Sequence, residues 1–136
     1  MTYQHVRVDQ QRPIEIAFSA LLAFPIACFT LTVLTDIAYW QTLNLLWLHF
    51  SEWLLFAGLV FGALALVTLA IDFAIRRARP AWSAVLAGIV VLLLATLNSF
   101  VHTADGWTAV MPYGLTLSVL TVIVMMATAW LGARHV

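Results

Sequence analysis

Six polar side chains that could bind a cofactor or carry protons lie near the ends of long apolar segments in this chain of 136 residues. His49 and Glu52 are three residues apart, so they share one face if their segment is helical. Asn98 and His102 are four residues apart and share a face in the same way. Imidazole and carboxylate groups ligate iron and manganese, and they also exchange protons. The candidates for chemistry are therefore Asp36, His49, Glu52, Asn98, His102 and Asp105.

Four apolar segments must position these side chains. They cover about 16–35, 46–74, 82–102 and 110–133. Residues 53–71 carry no charge, and as a helix they would cross the ~30 Å hydrocarbon core of a bilayer. Only 9% of the residues are charged, whereas a soluble domain has about a quarter. Because the connections are short, the sequence predicts an all-α membrane protein, a four-transmembrane-helix up-down-up-down bundle forming a single domain over residues 1–136.

The basic residues predict the orientation of this bundle. With four spans, all of them fall on the same side of the membrane: Arg7, Arg12, Arg76, Arg77, Arg79 and Arg134. Arginine is enriched on the cytoplasmic side, so we expect both termini in the cytoplasm and the six polar candidates at the outer, periplasmic boundary. The formal net charge is zero, which argues against a nucleic-acid partner because no basic patch is present to neutralise phosphates.

Small residues indicate how the helices pack. Gly58 and Gly62 form a G-x-x-x-G motif on the second span. The third span carries a similar stripe: Ala84, Gly88, Ala95 and Ser99. Such stripes allow close approach of helices in lipid. We favour packing within the bundle, and the alternative is a homo-oligomer that uses the same motif.

The polar candidates allow four interpretations. His49 and His102 could be the axial ligands of a haem b between the second and third helices. His102, His49 and Glu52, with Asp36 and Asp105, could instead bind a transition metal. A quinone headgroup could be held by His102 and a carboxylate. In the fourth interpretation the side chains only cap helices and pair with one another at the interface, Asp36 is an ordinary helix end, and no cofactor is bound.

Three motifs resemble a bacterial family called domain of unknown function 2231, over about residues 24–132. They are F-P-I with a downstream aspartate (Pro25, Asp36), G-L-V-x-G followed by I-D-F (Gly58, Gly62, Asp72), and V-H-x-x-D-G (His102, Asp105, Gly106). In this family the positions of His49 and Glu52 are usually occupied by non-ionisable residues. The resemblance therefore favours Asp36, His102 and Asp105 as site residues.

The resemblance implies a four-helix protein of the bacterial inner membrane without a settled activity. Some members are fused to, or encoded beside, redox modules such as Rieske or cytochrome c domains and periplasmic sugar dehydrogenases. It therefore implies an electron-transfer or quinone- or haem-binding subunit that serves a periplasmic redox partner. His102 would contact the cofactor, Asp36 and Asp105 would orient it or move protons, and Asn98 would support them. The alternatives are a non-catalytic membrane anchor or accessory subunit and a metal-binding membrane protein, and whether the chain is an enzyme stays open.

Overall fold

The structure, a computed structural model, describes residues 13–76, 81–103 and 110–133, and these are almost entirely helical. The helices are α1 (Pro13–Thr42), α2 (Leu45–Arg76), α3 (Trp82–Thr103) and α4 (Leu115–Ala133). A π-helical turn, Val110–Gly114, leads into α4. In the part of the chain that is described, four helices are long and apolar enough to cross a membrane, when the turn is counted with α4. The predicted all-α, four-helix architecture is confirmed.

A tight connection makes α1 and α2 an antiparallel pair. Leu43 has a positive φ of 53°, and its N–H donates to the carbonyl of Tyr39 at 2.7 Å, which closes the end of α1. The side-chain oxygen of Asn44 accepts from the N–H of Leu46 at 3.0 Å, as an N-cap residue does. Both helix ends are therefore capped within two residues, and the chain reverses its direction there.

The first helix is longer than its apolar segment suggested. The sequence placed Asp36 at the end of the first span, but α1 continues to Thr42. The extra turns are held because Tyr39, only 5% exposed, packs with Leu48 of α2 and with Val110. Asp36 is consequently a residue of the helix interior, and its side chain points into the bundle.

All four helices contribute to a core that runs along the bundle axis. Its apolar part is formed by Phe29, Leu55, Val91, Ala95 and Met125. Farther toward the C-terminal end of α1 comes a layer of buried polar side chains, and the apolar cluster of Tyr39, Leu48 and Val110 lies beyond it. We call this part of the molecule the polar end of the bundle, after its buried polar residues Asp36, Ser51, Asn98, His102 and Ser118. The opposite end, where α2 reaches Arg76, is called the arginine end.

Large apolar side chains cover the outer surface of the bundle. Trp53, Leu93 and Phe100 are 70%, 59% and 68% exposed. In water such a surface would aggregate, whereas hydrocarbon solvates it at no cost. The distribution of apolar side chains is therefore that of a protein surrounded by lipid.

The glycines of the second span lie against different helices. A Cβ on Gly58 would overlap the ring of Phe29 on α1. A Cβ on Gly62 would come within 2.5 Å of Leu92 Cδ2 on α3. Gly88, expected to pack against this motif, has no atom within 4 Å of an added Cβ. The G-x-x-x-G motif thus packs inside the bundle, but the stripe on α3 does not face it at Gly88.

We expect Gly58→Ala to lower the free energy of unfolding by about 1–3 kcal/mol, because the added methyl group displaces the buried Phe29 ring. Gly88→Ala is the matched control: it has open space, and alanine favours the helix by up to about 1 kcal/mol. Unfolding of both variants in detergent, followed by circular dichroism, measures the difference. Equal losses of stability in the two variants would contradict this account of the packing.

Candidate functional site

The carboxylate of Asp36 joins all four helices at the polar end. Its Oδ1 lies 2.6 Å from Ser51 Oγ on α2 and 2.8 Å from His102 Nε2 on α3. Its Oδ2 accepts a hydrogen bond from Ser118 Oγ on α4 at 2.5 Å. Asn98 of α3 donates from Nδ2 to the same Ser118 Oγ at 2.7 Å. We call these five residues the Asp36 cluster, and none of them is more than 2% exposed.

Helical periodicity explains why these side chains meet. Asp36 follows the buried Phe29 and Thr32 at spacings of seven and four residues, so the three share one face of α1. Asn98 and His102 continue the face of α3 that begins with Val91 and Ala95. On α2 and α4 the inward positions at the same height carry serines, which are small enough to approach the carboxylate closely.

The imidazole of His102 is held at both nitrogens. Nδ1 lies 2.9 Å from the backbone carbonyl of Asn98, which can only accept, so Nδ1 carries a proton. Nε2 and Asp36 Oδ1 then share one further proton, either as an imidazolium–carboxylate pair or as an imidazole with a carboxylic acid. The pair is neutral overall in both forms. This neutrality is what allows two ionisable groups to be fully buried inside the bundle.

One hydrogen-bond acceptor in the cluster lacks a donor among the described residues. The side-chain oxygen of Asn98 is buried and has no hydrogen-bond partner among the described residues. The other polar atoms are better supplied: Ser51 Oγ, for instance, also lies 2.7 Å from the hydroxyl of Thr35. Because an unpaired buried acceptor is costly, the Asn98 oxygen is the atom of the cluster best placed to receive a donor from a bound molecule.

The turn before α4 is shaped by the imidazole ring. A Cβ on Gly114 would lie 3.1 Å from His102 Cε1 and 3.2 Å from Val110 Cγ1. Met111 leaves the helical conformation, with φ −118° and ψ 125°. Since His102 is fixed at both nitrogens, it cannot move aside easily, and Gly114 provides the space that the ring needs.

The structure separates the sequence candidates into two groups. Asp36, Asn98 and His102 are brought together in the Asp36 cluster. His49 and Glu52 instead form a pair of their own, with 3.3 Å between His49 Nδ1 and Glu52 Oε2 and with the His49 side chain 63% exposed. Asp105 lies outside the described residues.

Two members of the cluster, Ser51 and Ser118, were not among the sequence candidates. Ser118 lies in the fourth span, where Gly114, Ser118 and Thr121 are small residues at helical spacing. Ser51 lies between His49 and Glu52, whose ionisable side chains gave the stronger signal. Small hydroxyl residues on an inward face were therefore the signal that could have identified both.

A family model described as "Predicted membrane protein (DUF2231)" matches residues 18–136, which is most of the chain. The chain belongs to this family. The resemblance carried by the F-P-I, I-D-F and V-H-x-x-D-G motifs is thereby confirmed. The match includes every member of the Asp36 cluster, and its description adds membrane location. No curated protein and no solved structure matches the chain.

In this DUF2231 protein the cluster fits some ligands better than others. Axial ligation of haem requires a free lone pair on an imidazole nitrogen, and both nitrogens of His102 already face protein acceptors. Among the described residues, no three His, Cys, Asp or Glu side chains are grouped so that they could hold a metal ion. The haem b hypothesis and the metal set of His102, His49 and Glu52 therefore stay predictions without geometric support. The acceptor without a partner among the described residues, the side-chain oxygen of Asn98, suits a ligand that donates a hydrogen bond.

Proposed function

We propose that this DUF2231 protein is a redox-associated subunit of the bacterial inner membrane whose Asp36–His102 pair exchanges a proton with a quinone headgroup. The observation that carries the proposal is the distance of 2.8 Å between His102 Nε2 and Asp36 Oδ1, with both side chains fully buried inside the bundle. Ionisable side chains inside membrane segments are rare and mark proton and redox pathways. The pair stays neutral when its proton shifts between the two side chains, and it stays neutral after an exchange in which one proton leaves and another replaces it.

The residues of the cluster have complementary parts in this function. A quinone headgroup, when bound, supplies redox chemistry in which electrons and protons move together. Asp36 can receive the proton of a hydroxyl group, and His102, bonded to Asp36 Oδ1 through Nε2, can take up the proton in turn. The side-chain oxygen of Asn98, which has no partner among the described residues, accepts from the same hydroxyl and orients it. Ser51 and Ser118 fix the carboxylate in position.

The proposed orientation connects the cluster with a periplasmic partner. In the sequence the arginines lie next to the helix ends that are opposite to the Asp36 cluster. The positive-inside rule therefore favours a cytoplasmic location for the arginine end and both termini. The Asp36 cluster then lies toward the periplasm. Asp105, three residues after His102 in the sequence, is the proposed next proton group on the way to the outer surface.

The decisive variant is Asp36→Asn. An asparagine can donate from Nδ2 to His102 Nε2 and to Ser51 Oγ while its oxygen accepts from Ser118, so the hydrogen bonds are retained and only the shared proton is removed. We expect a folded protein whose quinol-linked electron flow in membranes falls at least about tenfold, as loss of an acid–base group does. Oxygen consumption by membrane vesicles supplied with a reduced quinone measures the flow.

His49→Gln is the matched control, because it removes an imidazole from the same end of the bundle but from an exposed surface pair. Electron flow should be unchanged in this variant. Normal flow in folded Asp36→Asn protein would contradict the proposed function.

The second candidate is a non-catalytic anchor or accessory subunit of a larger complex. The observation that favours it is the complete enclosure of the cluster, which connects all four helices as a structural clasp would. Under this alternative Asp36→Asn leaves electron flow unchanged, whereas variants that break the hydrogen bonds reduce the amount of folded protein. The two candidates are thus separated by a variant that keeps the bonds and removes the proton.

A further inference from the structure

A second feature of the bundle, far from the Asp36 cluster, is an apolar cavity of about 290 Å³ toward the arginine end. All four helices line it, with Leu22 and Pro25 of α1, Gly62 of α2, Gly88 of α3, and Met125 and Thr128 of α4. The hydroxyl of Thr128 is bonded to the carbonyl of Val124, so the lining offers no free polar group. The buried core side chains Phe29, Val91 and Met125 close the cavity on the side of the cluster.

Small residues on α3 create this space. Ala84 and Gly88 line the cavity, and a Cβ on Gly88 would have no neighbour within 4 Å. Elsewhere in the bundle small residues bring helices into contact, as Gly58 does with the Phe29 ring. At Gly88 the small residue instead leaves room for something that is not part of the chain.

The surroundings of the cavity define what fills it. Leu22 and Ile26 line it and are 41% and 40% exposed, and the cavity is partly open to the outside of the bundle. An apolar cavity without polar partners does not hold ordered water. At membrane depth the surrounding solvent is hydrocarbon, so the molecule that can enter from outside is an acyl chain.

The charge of this end favours one class of lipid. The six arginines of the sequence lie next to the helix ends on the cavity side: before α1 and α3, and at the end of or after α2 and α4. Three carboxylates, Asp9, Glu15 and Asp72, lie near the same helix ends, so six positive and three negative charges leave a net charge of +3 there. Arginines at a membrane surface attract anionic headgroups. We propose that the cavity binds one acyl chain of an anionic phospholipid, held at the arginine end of the bundle. This site is independent of the proposed quinone chemistry.

Native mass spectrometry of the detergent-purified protein tests the proposal with two lipids that have identical acyl chains, phosphatidylglycerol and phosphatidylcholine. We expect one phosphatidylglycerol per chain to survive the collision energy that strips the detergent. Its retention should exceed that of phosphatidylcholine by at least about fivefold, the effect of roughly one surface arginine. Equal retention of the two lipids, or retention of neither, would overturn the proposal.

Gly88→Phe fills the cavity and should lower the retention of phosphatidylglycerol by at least about fivefold. Leu93→Phe is the matched control, because it adds a ring to the same helix at a position that is 59% exposed to lipid. Gly88→Val fills less of the space and replaces Gly88→Phe if the larger variant does not fold. Undiminished retention in a folded Gly88 variant would contradict the assignment of the cavity, whatever the result of the electron-flow experiments.

Discussion

Replacing Asp36 with alanine is expected to lower the free energy of unfolding by about 3–5 kcal/mol, which is the usual cost of removing one partner from a buried ion pair. The carboxylate is bonded to Ser51, His102 and Ser118, so its loss removes three buried hydrogen bonds. The surrounding side chains are almost completely enclosed and give water no access to replace it. Each of the helices α2, α3 and α4 would therefore lose a hydrogen bond to α1.

Two variants calibrate this expectation. Asp36→Asn can remake the hydrogen bonds with a neutral imidazole and should cost no more than about 1–1.5 kcal/mol. Glu52→Ala removes a carboxylate from a pair whose histidine is 63% exposed and should cost less than about 1 kcal/mol. Reversible unfolding in mixed micelles of mild detergent and dodecyl sulfate measures all three. A loss for Asp36→Ala that is no larger than that for Glu52→Ala would show that the cluster contributes little to stability.

Hydropathy and charge in the sequence were sufficient to predict the four helices, because an uncharged run of nineteen residues such as 53–71 has few alternatives to a membrane span. The same reasoning failed at Asp36. A charged residue ends an apolar window, so the first span was predicted to stop there, whereas α1 continues to Thr42. The partner that makes this charge tolerable is His102, which is 66 residues away, and a single sequence does not show such a pairing.

The second span shows another reason why only some of the site residues could be predicted from the sequence: His49 and Glu52 were predicted, but Ser51 is the residue that joins the cluster. His49, Ser51 and Glu52 all lie in the second turn of α2, and the rotation of the helix decides which of them faces inward. In a soluble protein the amphipathic pattern reveals that rotation. In a membrane bundle both faces are apolar, so the pattern is weak, and the ionisable residues were favoured over the serine that is actually buried.

Gly88 illustrates the same limit for packing. A small residue at helical spacing predicts close contact of helices, but it leaves a cavity equally well if no partner helix approaches. The difference between Gly58 and Gly88 depends on where Phe29 and the side chains of α4 extend in three dimensions. That information comes from the packed bundle and not from the spacing of glycines.

The double variant Asp36→Asn/His102→Leu is expected to recover most of the stability that His102→Leu alone removes. His102→Leu leaves the Asp36 carboxylate buried without a cationic partner and should cost about 3–5 kcal/mol. In the double variant Asp36→Asn/His102→Leu, the asparagine donates to Ser51 and accepts from Ser118, and no charge remains to be compensated. One amide N–H stays unpaired, so a deficit of roughly 1–2 kcal/mol should persist.

A double-mutant cycle over Asp36→Asn and His102→Leu measures this recovery as a coupling free energy. Additive losses, with the double variant less stable than His102→Leu alone, would contradict the assignment of a shared proton between the two side chains. The recovery also bears on function, because buried ionic pairs are often replaceable by neutral groups at little cost. Suppose that the double variant folds well but has lost quinol-linked electron flow. Stability would then not be the reason for an ionisable pair at this position. The property that only Asp36 and His102 supply together would be proton exchange.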